Sequence, residues 1–503
     1  MDDAGCMNCK DALAWAAEQL STDEYPTNSA ELLLESLLGL SRHELYASDA
    51  ALTVLTKQQL KTLCQWMLER KRGKPLQYIT GKTRFIDLDI LCKEPVLIPR
   101  SETELLAEWA ATLLKAQIGP AEVLDLCSGT GCIGLYVASH VPEAAVTLSD
   151  ISEEAVLLAR ENAAYIACAV SNEEGALQKE PTAADNQMPG EAGAPQAISH
   201  IDVVRSDLFS GLPQDLRQKL CLITANPPYI PEHVYKTLPS EVKDYEDPRA
   251  LITKDAAGLS YFFRIIDEAP QWLAPFGWVA LELFEDSLTK AKQYLEQKGV
   301  WQRCEIHHDL NQRPRFITAQ YNPHQESVML FNTDTVAGLG CWATPANPAY
   351  DRIFSIKGRE KHKKLPLFIP SASELSRYAG GLTQQARNLA HAHWPGGLTL
   401  IVTASKEVPR EYVAADGSVA LRVPEAPELV ALIQRAGVPL ANTSANYSGK
   451  PAVASIDEVD QGIKQAADVT LTYKAAASSI ASTVIDVRGP GPYTIVREGS
   501  LRL

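Results

Sequence analysis

The sequence predicts an α/β protein that begins with a group of helices, and three observations support this. Residues 10–75 repeat apolar side chains with helical spacing, and residues 121–138 read as a strand, a loop of small residues and a helix. The apolar run Leu222–Ala225 reads as a strand that leads into a turn. At roughly 150 residues per domain, we expect about three domains, placed at residues 1–75, 76–325 and 326–503.

Composition places the chain among ordinary soluble proteins. It has 46% hydrophobic and 22% charged residues, and no apolar run approaches the roughly 18 residues of a membrane span. Ten cysteines scattered over 503 residues suit reduced thiols better than a disulfide framework. The start, Met1-Asp2-Asp3, lacks the features of a signal peptide. We therefore expect a cytoplasmic protein with no membrane partner.

Charge divides unevenly along the chain. Residues 331–503 carry 18 Lys and Arg against 15 Asp and Glu, a net charge of +3. The preceding 330 residues carry 29 against 47, a net charge of −18. Proteins that bind duplex DNA need cations to neutralise phosphates, so the acidic part argues against DNA as a partner.

The segment Asp125–Gly131 has the pattern of a nucleotide-binding turn. Its residues Asp125, Leu126, Cys127, Ser128, Gly129, Thr130 and Gly131 follow an apolar strand and precede an amphipathic helix. Glycines allow a ligand to approach the backbone, and the helix N-terminus offers free N–H groups. Asp150 ends the next strand, where an acid that grips ribose hydroxyls is expected. Asp207, at a further strand end beside Leu208, is expected to face an adenine amine.

The tetrapeptide Asn226-Pro227-Pro228-Tyr229 predicts a rigid turn at the end of a strand. Proline has a fixed φ and no N–H, and it keeps the preceding residue out of the helical region. The Asn226 amide and a neighbouring carbonyl can then form an acceptor pair for a planar NH2 group, over which Tyr229 stacks. An amide nitrogen is a poor nucleophile, so orientation is most of what a protein can offer it.

Three further features of this part carry smaller predictions. Ser101 and Glu104 have the spacing of a capping box at the start of a helix. The segment 171–200 is rich in Glu, Ala, Gly and Pro without periodicity, and is predicted to be a mobile insertion. Cys6 and Cys9 form the one close cysteine pair, for which we expect no metal.

Together these motifs resemble the HemK/PrmC family, which methylates a glutamine of peptide-chain release factors. The resemblance covers roughly residues 10–325, and it includes the stretches Pro75–Tyr78 and Leu97–Glu104. It implies a Rossmann-like seven-stranded sheet, S-adenosylmethionine as methyl donor, and the Gln of a Gly-Gly-Gln loop in class I release factors as acceptor. Asn226 and the Pro227 carbonyl would orient that amide, and the helical region would dock the release factor. An adenine-N6 DNA methyltransferase is the rival, because it uses the same tetrapeptide for another NH2 group.

The last part of the chain carries pairs of polar side chains. Lys357 and Arg359 flank Gly358, so an extended backbone would place both cations on one face. With Arg422 and Arg497, they would suit a triphosphate. Ser444 and Asn446 alternate in the same way. His391 and His393 have no carboxylate or cysteine at ligand spacing, so no metal site is expected.

These pairs, in this order, resemble the YrdC-like threonylcarbamoyl-adenylate synthases over about residues 326–503. The resemblance implies an open twisted α/β sheet and a reaction that joins threonine, bicarbonate and ATP, expected as its magnesium complex, with release of pyrophosphate. A separate complex then passes the carbamoyl group to tRNA adenosine. Thr335 would meet threonine, and ATP would be held by Lys357, Arg359, Ser444, Asn446, Ser482 and Arg497. Asn332 and Ala337 stand where the family usually has Pro and Tyr. The alternative is a non-catalytic RNA-binding module.

Overall fold

The computed structural model divides the chain into two compact units, Met1–Tyr321 and Asn322–Leu503. It describes residues 7–21, 23, 26–47, 53–116, 120–177, 200–360, 364–473, 477–489 and 491–503, with the backbone alone for 169–177. Cys6 and residues 178–199 of the expected insertion lie outside this described part. Within it, no helix is long and apolar enough to span a membrane.

The first unit contains thirteen helices among its described residues. Their bounds are α1 Cys9–Gln19, α2 Pro26–Leu38, α3 Arg42–Tyr46, α4 Lys57–Lys71, α5 Leu76–Thr80, α6 Ser101–Lys115, α7 Cys132–His140, α8 Glu153–Leu177, α9 Glu232–Tyr235, α10 Ser240–Lys243, α11 Pro248–Leu251, α12 Ser260–Glu268 and α13 Leu288–Gln297. The first four span residues 9–71 and confirm the predicted helical region, α5 follows it, and the apolar faces of these helices enclose a core of their own. Helix α8 continues through residues 171–177, where the sequence analysis predicted the start of an insertion without structure; that part of the prediction was wrong.

The strands of the first unit confirm the predicted seven-stranded α/β sheet. Their bounds are β1 Lys82–Phe85, β2 Leu88–Leu91, β3 Ala121–Leu126, β4 Ala144–Asp150, β5 Ile201–Arg205, β6 Leu220–Ala225, β7 Ile230–Pro231, β8 Ile252–Thr253, β9 Leu273–Glu282, β10 Trp301–His308 and β11 Pro314–Tyr321. The large sheet has the order β10-β11-β9-β6-β3-β4-β5. Strands β5, β4, β3, β6 and β9 are parallel, and β11 is antiparallel to its two neighbours.

Helices cover both faces of this sheet because successive strand residues point to opposite sides. Val123 packs with α6 and α7 on one face, whereas Leu124 packs with α12 and α13 on the other. Parallel strands buried on both faces are apolar almost throughout, which explains the short apolar runs in the sequence. The strand order reverses between β3 and β6, so their carboxyl ends form the crevice where such sheets bind ligands.

The second unit is a separate α/β fold around a nine-stranded sheet. Its strands are β12 Met329–Phe331, β13 Gly338–Trp342, β14 Leu367–Phe368, β15 Leu398–Thr403, β16 Ser418–Arg422, β17 Leu440–Ser444, β18 Val469–Leu471, β19 Thr483–Asp486 and β20 Thr494–Arg497. Its helices are α14 Pro348–Lys357, α15 Leu375–Tyr378, α16 Gln384–His393, α17 Pro427–Ala436 and α18 Gln461–Ala466. The sheet order is β18-β12-β13-β17-β14-β16-β15-β19-β20, and the unit has one large apolar core. The predicted C-terminal α/β domain is confirmed.

Candidate active sites

The loop between β3 and α7 has the backbone expected of a ligand-binding turn. Cys127, Gly129 and Gly131 have φ of 54°, 55° and 84°, in the left-handed region that disfavours side chains. At Gly131 a Cβ would lie 2.9 Å from Leu148 Cδ1, so a side chain has no room. The hydroxyls of Ser128 and Ser149 beside this loop are buried without a hydrogen-bond partner among the described residues.

The buried side chain of Asp125 fixes the start of this loop through hydrogen bonds. Its carboxylate accepts hydrogen bonds from the Gly134 N–H at 3.1 Å and the Thr224 hydroxyl at 2.8 Å. Complete burial raises the pKa of Asp125 to about 7. The side chain therefore ties β3 to β6 and to the first turns of α7, and it fixes the loop that follows.

Asp150 ends β4 and turns its carboxylate toward the same loop. It accepts the Gly129 N–H and the Ser152 N–H, both at 2.9 Å. Burial raises the pKa of Asp150, and these backbone donors oppose that shift. A carboxylate oxygen can accept more than one hydrogen bond, so Asp150 retains capacity for ribose hydroxyls.

A cleft of about 200 Å³ runs along these loop ends, and we call it the cofactor cleft. Seven of the predicted site residues line it: Cys127, Gly129, Asp150, Asp207, Leu208, Asn226 and Pro228. Four others do not: Asp125, Ser128, Thr130 and Gly131. Those four hold the loop in its conformation, whereas the seven are exposed to a ligand in the cleft. Open backbone at Gly129 beside the Asp150 carboxylate fits a nucleoside with free hydroxyls.

The expected role of Asp207 needs a refinement. Its carboxylate forms an ion pair with Arg264 at 2.9 Å, and the Arg264 guanidinium lies 5.7 Å from the centre of the Tyr261 ring. Tyr261 lines the cleft as well, and the sequence analysis missed it. An aromatic ring beside an acid is suited to a flat base, but Asp207 shares its charge with Arg264.

The turn Asn226–Tyr229 directly follows β6 and joins the cofactor cleft to a second cavity. This acceptor cavity, of about 250 Å³, is lined by Leu97, Arg100, Asn226, Pro227, Tyr229, Ile230, Leu238, Val242, Ala250 and Leu251. Asn226 lines both spaces, Pro228 the cleft alone, and Tyr229 the acceptor cavity alone. The turn therefore lies between the two spaces, and Asn226 borders both.

Hydrogen bonds give the Asn226 amide a direction. Its Nδ2 donates to the Thr103 hydroxyl at 3.2 Å. Among the described residues, neither Asn226 Oδ1 nor the Pro227 carbonyl accepts a hydrogen bond. Two acceptor oxygens thus remain for an NH2 group. The Tyr229 hydroxyl donates to Glu282 at 2.9 Å, and burial raises the pKa of Tyr229, which keeps the phenol neutral.

The predicted cations of the second unit separate into two groups. Lys357 is the last residue of α14, and Gly358 caps the helix with φ of 61°, so the extended backbone predicted here was wrong. The Lys357 ammonium donates to the carbonyls of Ser444 and Asn446, and burial lowers its pKa to about 8. Lys357 therefore holds the loop after β17.

Arg422 is also engaged within the protein. Its guanidinium forms a buried ion pair with Asp334 at 2.5 Å and donates to the Thr335 hydroxyl at 2.9 Å. Burial lowers the pKa of Arg422, and Asp334 opposes that shift. The hydrogen bond from Arg422 orients the Thr335 hydroxyl. Because Asp334 balances the charge of Arg422, this guanidinium is a weaker candidate for binding phosphates than predicted.

A cavity of about 210 Å³, the C-terminal cavity, contains most of the remaining predicted residues. It is lined by Thr333, Thr335, Val336, Ala337, Gly338, Arg359, Lys364, Pro366, Phe368, Thr399, Arg422, Asn442, Thr443, Ser444, Ala481, Ser482 and Arg497. Lys357 and Asn446 are not among these residues. The sequence analysis missed Lys364, which has no motif around it.

Arg359 and Arg497 give this cavity its positive character. Arg359 donates to the Thr443 hydroxyl at 3.0 Å, and Arg497 donates to the Ser482 carbonyl at 2.7 Å. Partial desolvation lowers the pKa of both guanidinium groups, although Arg359 is half-buried and Arg497 lies on the exposed strand β20. Cations beside hydroxyls favour an anionic ligand through charge-assisted hydrogen bonds. Within the described residues, no group of three or more His, Cys, Asp or Glu could hold a metal ion.

Three family models match different parts of the chain. The PrmC N-terminal domain matches residues 11–81, and the methyltransferase small domain matches residues 103–187. The Sua5/YciO/YrdC model, described as telomere recombination, matches residues 323–499.

Curated relatives cover the first unit. The release factor glutamine methyltransferase of Leptospira interrogans is 32% identical over 302 residues, which is 60% of this chain and 93% of the relative. That of Chlorobaculum tepidum is 34% identical over 292 residues, or 57% and 87%.

Among solved structures, Sua5 of P. abyssi in complex with L-threonine is 34% identical, covering 35% of this chain and 51% of that chain, with a TM-score of 0.33. Thus the chain spans about half the length of that protein. The first unit has relatives matched over nearly their whole length: the chain belongs to the release factor glutamine methyltransferase family, and its second unit carries a Sua5/YciO/YrdC domain.

Proposed function

We propose that the first unit methylates the side-chain amide of the glutamine in the Gly-Gly-Gln motif of class I peptide-chain release factors, with S-adenosylmethionine as donor. The observation that carries this proposal is the position of Asn226 between the cofactor cleft and the acceptor cavity, with Asn226 Oδ1 and the Pro227 carbonyl both free, among the described residues, to accept a hydrogen bond. The resemblance of the chain to enzymes named for this reaction supports it.

Different residues of the first site would bind the ribose, the base and the acceptor amide. The Asp150 carboxylate would take the ribose hydroxyls, and Ile151 and Tyr261 offer apolar surface for the base. When bound, the donor supplies an electrophilic methyl group on a sulfonium sulfur. Asn226 Oδ1 and the Pro227 carbonyl would accept the two N–H groups of the glutamine amide, directing its nitrogen toward the cleft. The amide nitrogen would gain the methyl carbon, the carbon–sulfur bond would break with its electron pair left on sulfur, and one amide proton would be released to water.

Tyr229 confines the acceptor rather than moving a proton. Its ring lines the acceptor cavity, where it can stack on a planar amide. Because burial keeps its phenol neutral, it cannot serve as a base near neutral pH. The chemistry therefore depends on alignment, which agrees with the weak nucleophilicity of an amide nitrogen.

A labelling experiment separates this proposal from its rival. The enzyme is incubated with labelled donor and either a release factor or duplex and single-stranded DNA. We expect label on the release factor only, and tandem mass spectrometry should locate it on the glutamine of the Gly-Gly-Gln peptide. Label on DNA adenine would support an adenine-N6 methyltransferase and contradict the proposal.

We propose that the second unit forms threonylcarbamoyl-AMP from threonine, bicarbonate and ATP, which a separate complex uses to modify tRNA. Support comes from the partly desolvated Arg359 and Arg497 in a cavity rich in hydroxyls, and from the match of residues 323–499 to the Sua5/YciO/YrdC family model. Arg359 and Arg497 would hold the phosphates, with Lys364 at the rim, while Thr335, oriented by Arg422, would meet threonine.

Turnover decides between a synthase and a binding module. We expect pyrophosphate release that requires threonine and bicarbonate together with magnesium and ATP. ATP binding without such release, or RNA binding that competes with ATP, would favour the non-catalytic alternative. We place both proposed reactions, methylation of release factors and formation of the intermediate for tRNA modification, in the cytoplasm.

A further inference from the structure

A buried carboxylate lies behind the acceptor site and belongs to neither cavity. Glu282 is the last residue of β9 and is 4% exposed. Its Oε2 accepts the Thr103 hydroxyl at 2.7 Å, and its Oε1 accepts the Tyr229 hydroxyl at 2.9 Å. The Thr103 oxygen in turn accepts the Asn226 Nδ2–H. One carboxylate thus holds both polar members of the acceptor turn.

The register of the sheet explains this arrangement. Strands β6 and β9 are parallel, with Ala225 opposite Leu281. Asn226, the residue after β6, therefore lies beside Glu282, the last residue of β9. Thr103 reaches them from the first turn of α6. The contact therefore joins three elements that are distant along the chain.

Among the described residues Glu282 forms no ion pair. The nearby Arg315 pairs with Asp309 and Glu102, and it acts on Glu282 only through its charge. Burial raises the pKa of Glu282, while the Thr103 and Tyr229 hydroxyls and the charge of Arg315 oppose that shift. A buried carboxylate held by two neutral donors is costly for stability, which points to a benefit in function.

The direction of these hydrogen bonds resolves an ambiguity in Asn226. An asparagine amide presents an acceptor on one side and a donor on the other, and a half-turn exchanges them. Because the Thr103 hydrogen is committed to Glu282, the Thr103 oxygen offers Asn226 only a lone pair. Asn226 must then turn Nδ2 toward Thr103, which leaves Oδ1 for the acceptor amide.

We propose that Glu282 and Thr103 are positioning residues that select the productive orientation of the Asn226 amide and hold the Tyr229 ring. This inference rests on the proposed methyl transfer to a glutamine amide. Neither residue lines the cofactor cleft or the acceptor cavity, so both act through Asn226 and Tyr229.

Thr103→Val and Thr103→Ser test this directly. Valine keeps the shape but removes the hydroxyl, so Asn226 can turn over. We expect kcat for a release factor to fall about 10²-fold, with the Kd for S-adenosylmethionine and the KM for the release factor within about twofold of wild type. Serine restores the hydroxyl and should recover most of kcat. Glu282→Gln should lower kcat in the same way, because its amide NH2 cannot accept a hydroxyl hydrogen.

A matched control separates positioning from stability. Thr318 is equally buried, and its hydroxyl bonds to His307 at 2.9 Å on β10 and β11. Thr318→Val should lower the melting temperature about as much as Thr103→Val while kcat stays near wild type.

Wild-type enzyme that leaves the release factor unmethylated would overturn the proposed function. Methylation by wild type together with unchanged kcat in Thr103→Val would overturn this inference alone. Equal loss of kcat in the serine and valine variants would also contradict it.

Discussion

Gly131 combines two constraints that only glycine meets. Its φ of 84° lies in the left-handed region, and a Cβ would lie 2.9 Å from Leu148 Cδ1 and 3.1 Å from Leu135 Cδ1. At Gly39, φ is 68° but nothing lies within 4 Å of such a Cβ. Comparing alanine substitutions at the two positions therefore distinguishes the cost of backbone strain from the cost of steric crowding.

We predict that Gly131→Ala lowers the free energy of unfolding by about 2–4 kcal/mol, because backbone strain and overpacking add. Gly39→Ala should cost about 1 kcal/mol, since strain alone acts there. Urea unfolding of both variants measures the difference. Equal losses would show that the core around the loop accommodates the extra methyl group.

Lys357 couples the second site to pH. Burial and the nearby Arg359 lower its pKa to about 8, so the ammonium that holds Ser444 and Asn446 is present below that pH and lost above it. A bound polyphosphate would stabilise the ammonium and move this transition upward.

We therefore predict that ATP affinity of the whole protein decreases as pH rises through about 8 to 9. Calorimetric titration between pH 7.5 and 9.5 measures it, a range in which the ATP phosphates are fully ionised. Lys357→Met should bind ATP weakly with a flatter profile. A profile for this variant as steep as that of wild type would assign the titration to another group.

At the scale of elements, the segment 238–251 connects the helical region to the acceptor cavity. Leu238, Val242 and Leu251 line that cavity. On its other side, Glu241 pairs with Arg70 of α4 at 2.8 Å, and Arg70 also pairs with Asp23 at 2.7 Å. A partner that docks on the helices would thus act on a wall of the acceptor cavity.

We predict that Arg70→Met raises the KM for an intact release factor several-fold more than the KM for a short Gly-Gly-Gln peptide. The peptide needs only the cavity wall, whereas the protein also needs the helices in place. Lys71→Met is the control, because Lys71 lies on the same helix and is exposed. Steady-state kinetics with both substrates measure the split, and equal changes in both KM values would contradict it.

Local patterns predicted the elements that carry the first site. The strand before Asn226, the loop with its glycines and the helix that follows were all visible as short apolar runs and small residues. Contacts distant in sequence were not visible: Glu282 meets Thr103 across 179 positions, and Arg422 meets Asp334 across 88. Such pairings depend on strand order, which no local pattern specifies.

Two local predictions also failed for identifiable reasons. The alternation of Lys357 and Arg359 predicts an extended segment through Gly358, but glycine just after a helix is a common cap, and α14 ends at Lys357. Ser101 was expected to cap α6, but it is the first helical residue, and Glu104 accepts the Ile86 N–H instead. In both cases the boundary shifted by a residue or more, which is the usual uncertainty at helix ends.

At the scale of the molecule, each unit has its own interior. Among the described residues, the apolar clusters of the first unit contain no residue beyond Tyr321, and that of the second begins at Val328. Each unit buries a core large enough for an independent domain. The charge difference between the two parts of the sequence agrees with separate tasks.

We predict that fragments 1–321 and 322–503 fold separately and keep their activities to within a few-fold. Separate expression, thermal unfolding and the two assays measure this. Loss of methyl transfer in the first fragment, with a cooperative unfolding transition retained, would show that the second unit contributes to the first site.

The proposed methyl transfer depends on Asn226, which would align an amide NH2 with the methyl donor. Single-turnover methylation of a release factor by Asn226→Ala, at saturating S-adenosylmethionine, measures this dependence. We predict a rate at least about 10²-fold below wild type, with the melting temperature and the Kd of the donor nearly unchanged. A rate within a few-fold of wild type would contradict the account.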